Sequence, residues 1–258
     1  MGGMSEVLSL ILTHGSVQVR QKACTLLTSI QSNNRQVQEF ASKSGAINLV
    51  AQFDREETPS AQISVFSALA AWLKADNFEG KRRFLTEHDG LGFLTRLAQT
   101  PNLEKRLKLN VYRLVNDLVL NDDGIFAENP FHVREYFCAN PDLLSQLWND
   151  LVGADLSSPR EAPLRETILK IAFRLHQYKP DQVGPDLIRV LNGHKAALQT
   201  AIAAPANSEL CEQLTEELAT VDEVLVAPTK PFVQNFEQET ETEVVNTKKP
   251  IHGLALTQ

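Results

Sequence analysis

Ser44-Gly45-Ala46-Ile47-Asn48-Leu49-Val50 is the middle one of three glycine-opened segments. Gly2-Gly3-Met4-Ser5-Glu6-Val7-Leu8 precedes it, and Asp89-Gly90-Leu91-Gly92-Phe93-Leu94 follows. Gly3 and Gly45 are 42 residues apart, and Gly45 and Gly90 are 45 apart. After each glycine comes an apolar run: Leu8–Leu12, Ile47–Phe53 and Phe93–Ala98. A polar turn and a longer amphipathic stretch then follow, at Gln18–Gln31, Ala61–Ala75 and Leu103–Leu120. Val19, Ala23, Leu26, Leu27 and Ile30 form one apolar stripe at helical spacing, and Ile63, Phe66, Ala70 and Leu73 form another. A shorter helical stretch leads to the next glycine, at Arg35–Ala41 and Gly80–Thr86.

A period of this length filled by helices is the mark of an armadillo or HEAT array. Three helices per period favour armadillo. The reading is therefore an all-α, armadillo-like right-handed helical repeat solenoid. Each glycine is expected where φ is positive or where helices approach closely. The third period is read as broken by Asn121–Pro141, which carries Asp122-Asp123-Gly124, Pro130 and Pro141. Leu143–Val152 and Leu164–Tyr178 then make a fourth, degenerate repeat. Leu187–Ala203 and Ser208–Val226 make an antiparallel pair that closes the array. The repeat domain spans 1–226. From Ala227 prolines and the glutamates at 237, 239, 241 and 243 predict a disordered acidic tail over 227–258, with an acidic-hydrophobic binding motif around Phe232–Phe236 as the alternative.

Of 258 residues 43% are hydrophobic, enough for a sizeable core. The net charge of −7 disfavours non-specific nucleic-acid binding and docking on anionic membranes. No apolar run has the length of a transmembrane helix. The cysteines at 24, 138 and 211 form no CxxC pair, and Cys24 reads as a small core residue.

No catalytic constellation emerges, so the chain is read as a non-enzyme without metal or cofactor. The six histidines show no HExxH spacing, and Asn121-Asp122-Asp123-Gly124 lacks the ligand spacing of a calcium loop. Gly90-Leu91-Gly92 reads as a helix-opening turn, and Lys81-Arg82-Arg83 as a solvated face, with a phosphate site as the alternative. Glu104-Lys105-Arg106 with Lys108 reads equally as a face of ion pairs or as a contact for an acidic partner.

Superposing the long helices by their apolar stripes aligns Thr25/Ser29, Ala68/Trp72, Tyr112/Asn116 and Leu169/Phe173. Armadillo importins carry Trp and Asn at such positions to clamp basic peptides. Only Tyr112/Asn116 comes near, so recognition of nuclear-localisation peptides is disfavoured. Tyr112 and Asn116 are read as surface candidates, since an Asn inside a helix has no propensity reason to be there. Trp72 is read as either core or surface. The expected partner-binding set is Tyr112, Asn116, Trp72, Lys108 and Ser29.

Ser16-Val17-Gln18-Val19-Arg20-Gln21-Lys22-Ala23 through Gln36-Val37-Gln38, then Gly45-Ala46 and Phe66-Ser67-Ala68-Leu69, resembles the armadillo-type nucleotide-exchange factors of the seventy-kilodalton heat-shock chaperones. Tyr112-Arg113-Leu114-Val115-Asn116-Asp117-Leu118-Val119, an irregular insert and Leu147-Trp148 resemble the endoplasmic-reticulum branch, which serves the chaperone BiP. The resemblance covers roughly residues 3–205. It implies that the array embraces lobe II of the chaperone's nucleotide-binding domain, favours its open form and so expels ADP, with no catalytic residue. It also implies a monomer in the endoplasmic-reticulum lumen, with a cytoplasmic setting and a generic armadillo adaptor as the alternatives. Lumenal members carry a signal peptide and a longer N-terminal segment, whereas here the first repeat begins almost at Met1. The outer side of Val7, Leu8 and Ile11 is therefore expected to be uncovered, as in a shortened form.

Overall fold

A computed structural model describes residues 2–32, 34–74, 77–120, 132–204 and 208–226. Among these residues there are thirteen α-helices and no strand. The first period holds α1 (Gly2–Thr13), α2 (Val17–Gln31) and α3 (Arg35–Lys43). A single 3-10 turn, Ala46–Asn48, opens the second, followed by α4 (Leu49–Arg55), α5 (Pro59–Leu73) and α6 (Phe78–Glu87). The third holds α7 (Gly90–Gln99), α8 (Lys105–Leu120) and α9 (Val133–Cys138). Then come α10 (Pro141–Gly153) and α11 (Ala162–Tyr178), and the closing α12 (Pro180–Ala203) and α13 (Ser208–Val226).

Polar turns start the helices by a common device. Asn34, Thr58, Asn77, Asp89 and Asn140 each accept a hydrogen bond from a backbone N–H three residues on, satisfying a donor the helix start leaves orphaned. Each long helix buries its stripe against the next: α2 on α5, α5 on α8, α8 on α11. The short helices stack likewise, α3 on α6 and α6 on α9. Phe53, Phe66, Phe84 and Phe93 knit the second and third periods; Phe93 meets Phe53 edge-on with centroids 5.4 Å apart and Phe84 at 6.4 Å. Such pairs add about 0.5–1.5 kcal/mol each beyond the area they bury.

Two of the three period glycines have the expected reason to be glycine. Gly45 sits at φ +91°, where a Cβ would also lie 3.0 Å from Asn48 Nδ2. At Gly90 a Cβ would meet the Phe84 ring at 2.5 Å and the Phe84 carbonyl oxygen at 2.6 Å. Gly3 has neither constraint. Gly45→Ala is expected to destabilise the fold by about 1–2 kcal/mol, the cost of an L side chain in the left-handed region. A urea titration that leaves the midpoint unmoved refutes this.

Three expectations are corrected. Within the stretch expected to break the third period, α9 occupies the short-helix position and packs on α6 and α8; residues 121–131 of that stretch lie outside the described residues. Six residues are too few to show a helical period, and the stretch reads as an insert because Pro130 and Pro141 flank it. The first closing helix starts at Pro180, with Pro185 inside it, rather than at Leu187. Leu8 and Ile11 are 2% and 0% exposed, covered by α2 and α4, although Leu10 and Leu26 of the same edge are exposed. The 227–258 tail and residues 121–131 lie outside the described residues.

Candidate functional site: the face of the long helices

Burial fixes the register between repeats. Val65, Phe66, Ala68, Leu69, Trp72 and Leu73 of α5 are buried, and so are the residues 46 further on in α8: Val111, Tyr112, Leu114, Val115, Leu118 and Val119. The same six positions in α11, 57 residues further, are Ile168, Leu169, Ile171, Ala172, Leu175 and His176. In α2, Ala23, Cys24, Leu27 and Gln31 lie 42 residues before their α5 counterparts.

This register corrects the alignment of Trp72 with Asn116. It is two residues out, which on a helix turns a position through about 200°, to the opposite face. Trp72 is fully buried, its indole N–H donating to Ser42 Oγ at 2.9 Å. Tyr112 stands where α5 has Phe66 and α11 has Leu169; it is a core residue at 0% exposure, not a surface one. Its hydroxyl donates to the Asp150 carboxylate, and burial together with that carboxylate pushes the phenol well above its usual range. Lys108 is no free contact either, since its Nζ lies 2.7 Å from Asp150 Oδ1.

Lys108 instead reveals a ladder of inter-repeat rungs. Its equivalents are Arg20, Gln62 and Arg165. Arg20 donates from Nε and Nη2 to Glu56 at 2.6 and 2.7 Å, and Gln52 donates to the same carboxylate at 2.7 Å. Hydrogen bonding from Arg20, opposed by burial, holds the Glu56 carboxyl below its usual value. Gln62 donates to the Glu56 carbonyl at 3.0 Å. Arg165 reaches both Glu217 oxygens at 2.9 Å and donates to the Asp155 carbonyl at 3.0 Å. His194 Nε2 lies 2.7 Å from Glu217 Oε1, so one carboxylate ties α11, α12 and α13. At Arg20, Lys108 and Arg165 this helix position staples one repeat to the next, while Gln62 bonds within its own repeat, and in all four the side chain is already engaged.

The partner-accessible face is what remains of the long helices. Ser29 is exposed on α2, its hydroxyl donating to the Thr25 carbonyl at 3.0 Å. Asn116 is half-buried, and its Oδ1 has no hydrogen-bond partner among the described residues. Thr28, Ser67, Ala70, Asn110, Arg113 and Asp117 line a shallow groove of about 210 Å³ across α2, α5 and α8. Lys74 also lines it and forms an ion pair with Asp117 at 3.3 Å. Arg113 is exposed and, among the described residues, makes no ion pair. Lys22, Lys74, Arg113, Lys170 and Arg174 give this face a cationic bias on a chain of net charge −7. Sequence reasoning missed Arg113 and Lys74; the 46-residue offset between α5 and α8 is the signal that finds them.

The comparisons agree with this architecture. The armadillo repeats only protein of Plasmodium falciparum is similar at 15% identity and a TM-score of 0.54, over 85% of this chain and 92% of that one. An engineered protein is similar at 14% identity and a TM-score of 0.53, over 86% of this chain and 100% of that one. Identities this low show the fold alone. No curated protein matches the sequence significantly. The model of the SIL1/FES1/HPBP1 C-terminal domain matches residues 1–202, from α1 to the last turns of α12. With that match spanning the whole repeat stack, the chain belongs to the SIL1/FES1/HPBP1 C-terminal domain family of Hsp70 nucleotide-exchange factors.

Proposed function

We propose that the long-helix face binds the nucleotide-binding domain of an Hsp70-class chaperone and promotes release of ADP. The carrying observation is the face itself: four stacked helices whose outward positions are mostly small or polar, with Lys22, Lys74, Arg113, Lys170 and Arg174 outnumbering Asp117 and Glu166, while Arg20, Lys108 and Arg165 are consumed between repeats. Such a surface suits a large, rigid, acid-bearing lobe better than a linear peptide, since no Trp/Asn ladder faces outward. Among the described residues there is no cluster of three potential metal ligands. Exchange needs none. The face has only to bind the open lobe more tightly than the closed one. A tenfold loss of ADP affinity requires a difference of about 1.4 kcal/mol between the two states.

The lumenal branch is proposed from the resemblance of Tyr112–Val119, which makes a BiP-class chaperone the first partner to try. The assay is release of fluorescent ADP from a BiP-class and a cytosolic Hsp70, each mixed with this protein. Faster release from the BiP-class chaperone is the expected result. Acceleration only with the cytosolic one overturns the branch. Acceleration with neither, alongside stable capture of some other partner, overturns exchange and leaves an armadillo adaptor.

A further inference from the structure

A second surface lies at the start of α8, beyond the groove that Arg113 lines. The loop before α8 and the loop between α10 and α11 enclose a cleft of about 580 Å³ at the junction of the third and fourth repeats. Leu103, Leu109 and Leu164 contribute its apolar lining. Its three carboxylates are already engaged. Glu161 binds Lys105 Nζ at 2.5 Å and accepts the Asp155 N–H. Asp150 holds Lys108, and Glu104 accepts the Leu107 N–H at 2.8 Å, where it caps α8. Arg106 and Arg160 are exposed and, among the described residues, have no ion pair. The Lys105 side chain is 83% exposed, so its pair with Glu161 contributes little and exchanges readily. The cleft thus offers cations around an apolar floor.

The chain carries a segment of matching chemistry. Phe232-Val233-Gln234-Asn235-Phe236-Glu237-Gln238-Glu239-Thr240-Glu241-Thr242-Glu243-Val244-Val245 has four glutamates, no Lys or Arg, and apolar residues at both ends. It starts six residues after α13 ends at Val226. Glu217 of α13 touches Arg165, the neighbour of cleft residue Leu164. From Glu217 to Val226 the helix runs about 14 Å. The eleven residues from Val226 to Glu237 extend to about 36 Å, enough to return to the cleft.

The geometry points to intramolecular docking of segment 232–245 in the cleft between α8 and the α10–α11 loop, with its glutamates on Arg106, Arg160 and Lys105. The occupant is this chain's own acidic segment, because its proximity gives it an effective concentration that a free acidic peptide lacks.

A carbodiimide, which joins an amine to a carboxylate at zero length, tests this on the full chain at low salt. The expected product links Lys105 to one of Glu237, Glu239, Glu241 or Glu243 within one molecule. In Arg106→Glu/Arg160→Glu the yield should fall about tenfold, as it should in 0.5 M salt, where charges are screened beyond a few ångströms. Both arginines are exposed and unpaired, so the variant keeps its fold, checked by thermal melting. Amide exchange of 232–245 should accelerate in the same variant. Links spread over other exposed lysines, or exchange unchanged by the variant, overturn the proposal. Links between isotopically labelled and unlabelled copies overturn it in favour of a second copy as occupant.

Discussion

Arg165→Met should destabilise the protein by about 3–5 kcal/mol, the cost of breaking a buried ion pair on one side. Arg165 is 1% exposed and its three hydrogen bonds join α11 to Glu217 of α13 and to the Asp155 carbonyl. Removing it leaves Glu217, itself 9% exposed, with His194 as its one partner among the described residues. The loss should be local first, since repeats contact only their neighbours. Amides of α12 and α13 should lose exchange protection while those of α2 and α5 keep theirs. The sign of a second variant separates a pair that stabilises from one that merely must not be broken. Arg165→Met/Glu217→Met/His194→Leu removes all three polar groups and should recover most of the loss, because the desolvation of the ions is then no longer incurred. Urea titrations of the two variants decide it. A single-variant loss below about 1 kcal/mol shows that the rung does not staple the array.

The fold was legible because its two strongest signals are local. Glycines at 45 and 90 mark the repeat starts, and the apolar stripes of α2, α5 and α8 mark the helices. What was not legible is equally physical. α9 is shorter than two helical turns, and its sequence neighbours are prolines and polar residues. The apolar stripe shows α12 only from Leu187, yet the helix begins at Pro180 and runs through Pro185. The site was harder than the fold. Stripes repeat every three or four residues, so helices superposed by stripe alone fit nearly as well when slipped, and a slip of two residues exchanges core for surface. That is how Tyr112, equivalent to Phe66 and Leu169, came to stand beside Asn116 as a surface candidate. Lys108 misled for another reason. Its carboxylate partner is 42 residues away, and only the packing of α10 on α7 and α11 brings Asp150 into reach.

Arg113→Glu should weaken binding to the chaperone's nucleotide-binding domain about tenfold or more, and slow stimulated ADP release in proportion. Arg113 stands mid-face on α8, exposed, beside the Lys74–Asp117 pair and between repeats that contribute small side chains. Small neighbours let a partner surface approach closely, so a reversed charge there cannot be moved aside into solvent. Like charges brought together at an interface cost several kcal/mol, and tenfold requires only about 1.4 kcal/mol. The fold should be indifferent, because an exposed side chain without an ion pair changes stability by less than about 0.5 kcal/mol. Tyr112→Ala supplies the contrast. It empties a fully buried ring position and strips Asp150 of a donor, so it should lower stability by about 3–5 kcal/mol while leaving the affinity of the folded fraction unchanged. Isothermal titration on the chaperone domain, with folded protein quantified by circular dichroism, reads both. If Tyr112→Ala weakens binding per folded molecule while Arg113→Glu does not, the contact surface is not the face of the long helices. Salt adds an independent reading: the wild-type association rate should fall as ionic strength rises, and Arg113→Glu should flatten that dependence, because a cationic face steers an acidic lobe toward it before contact.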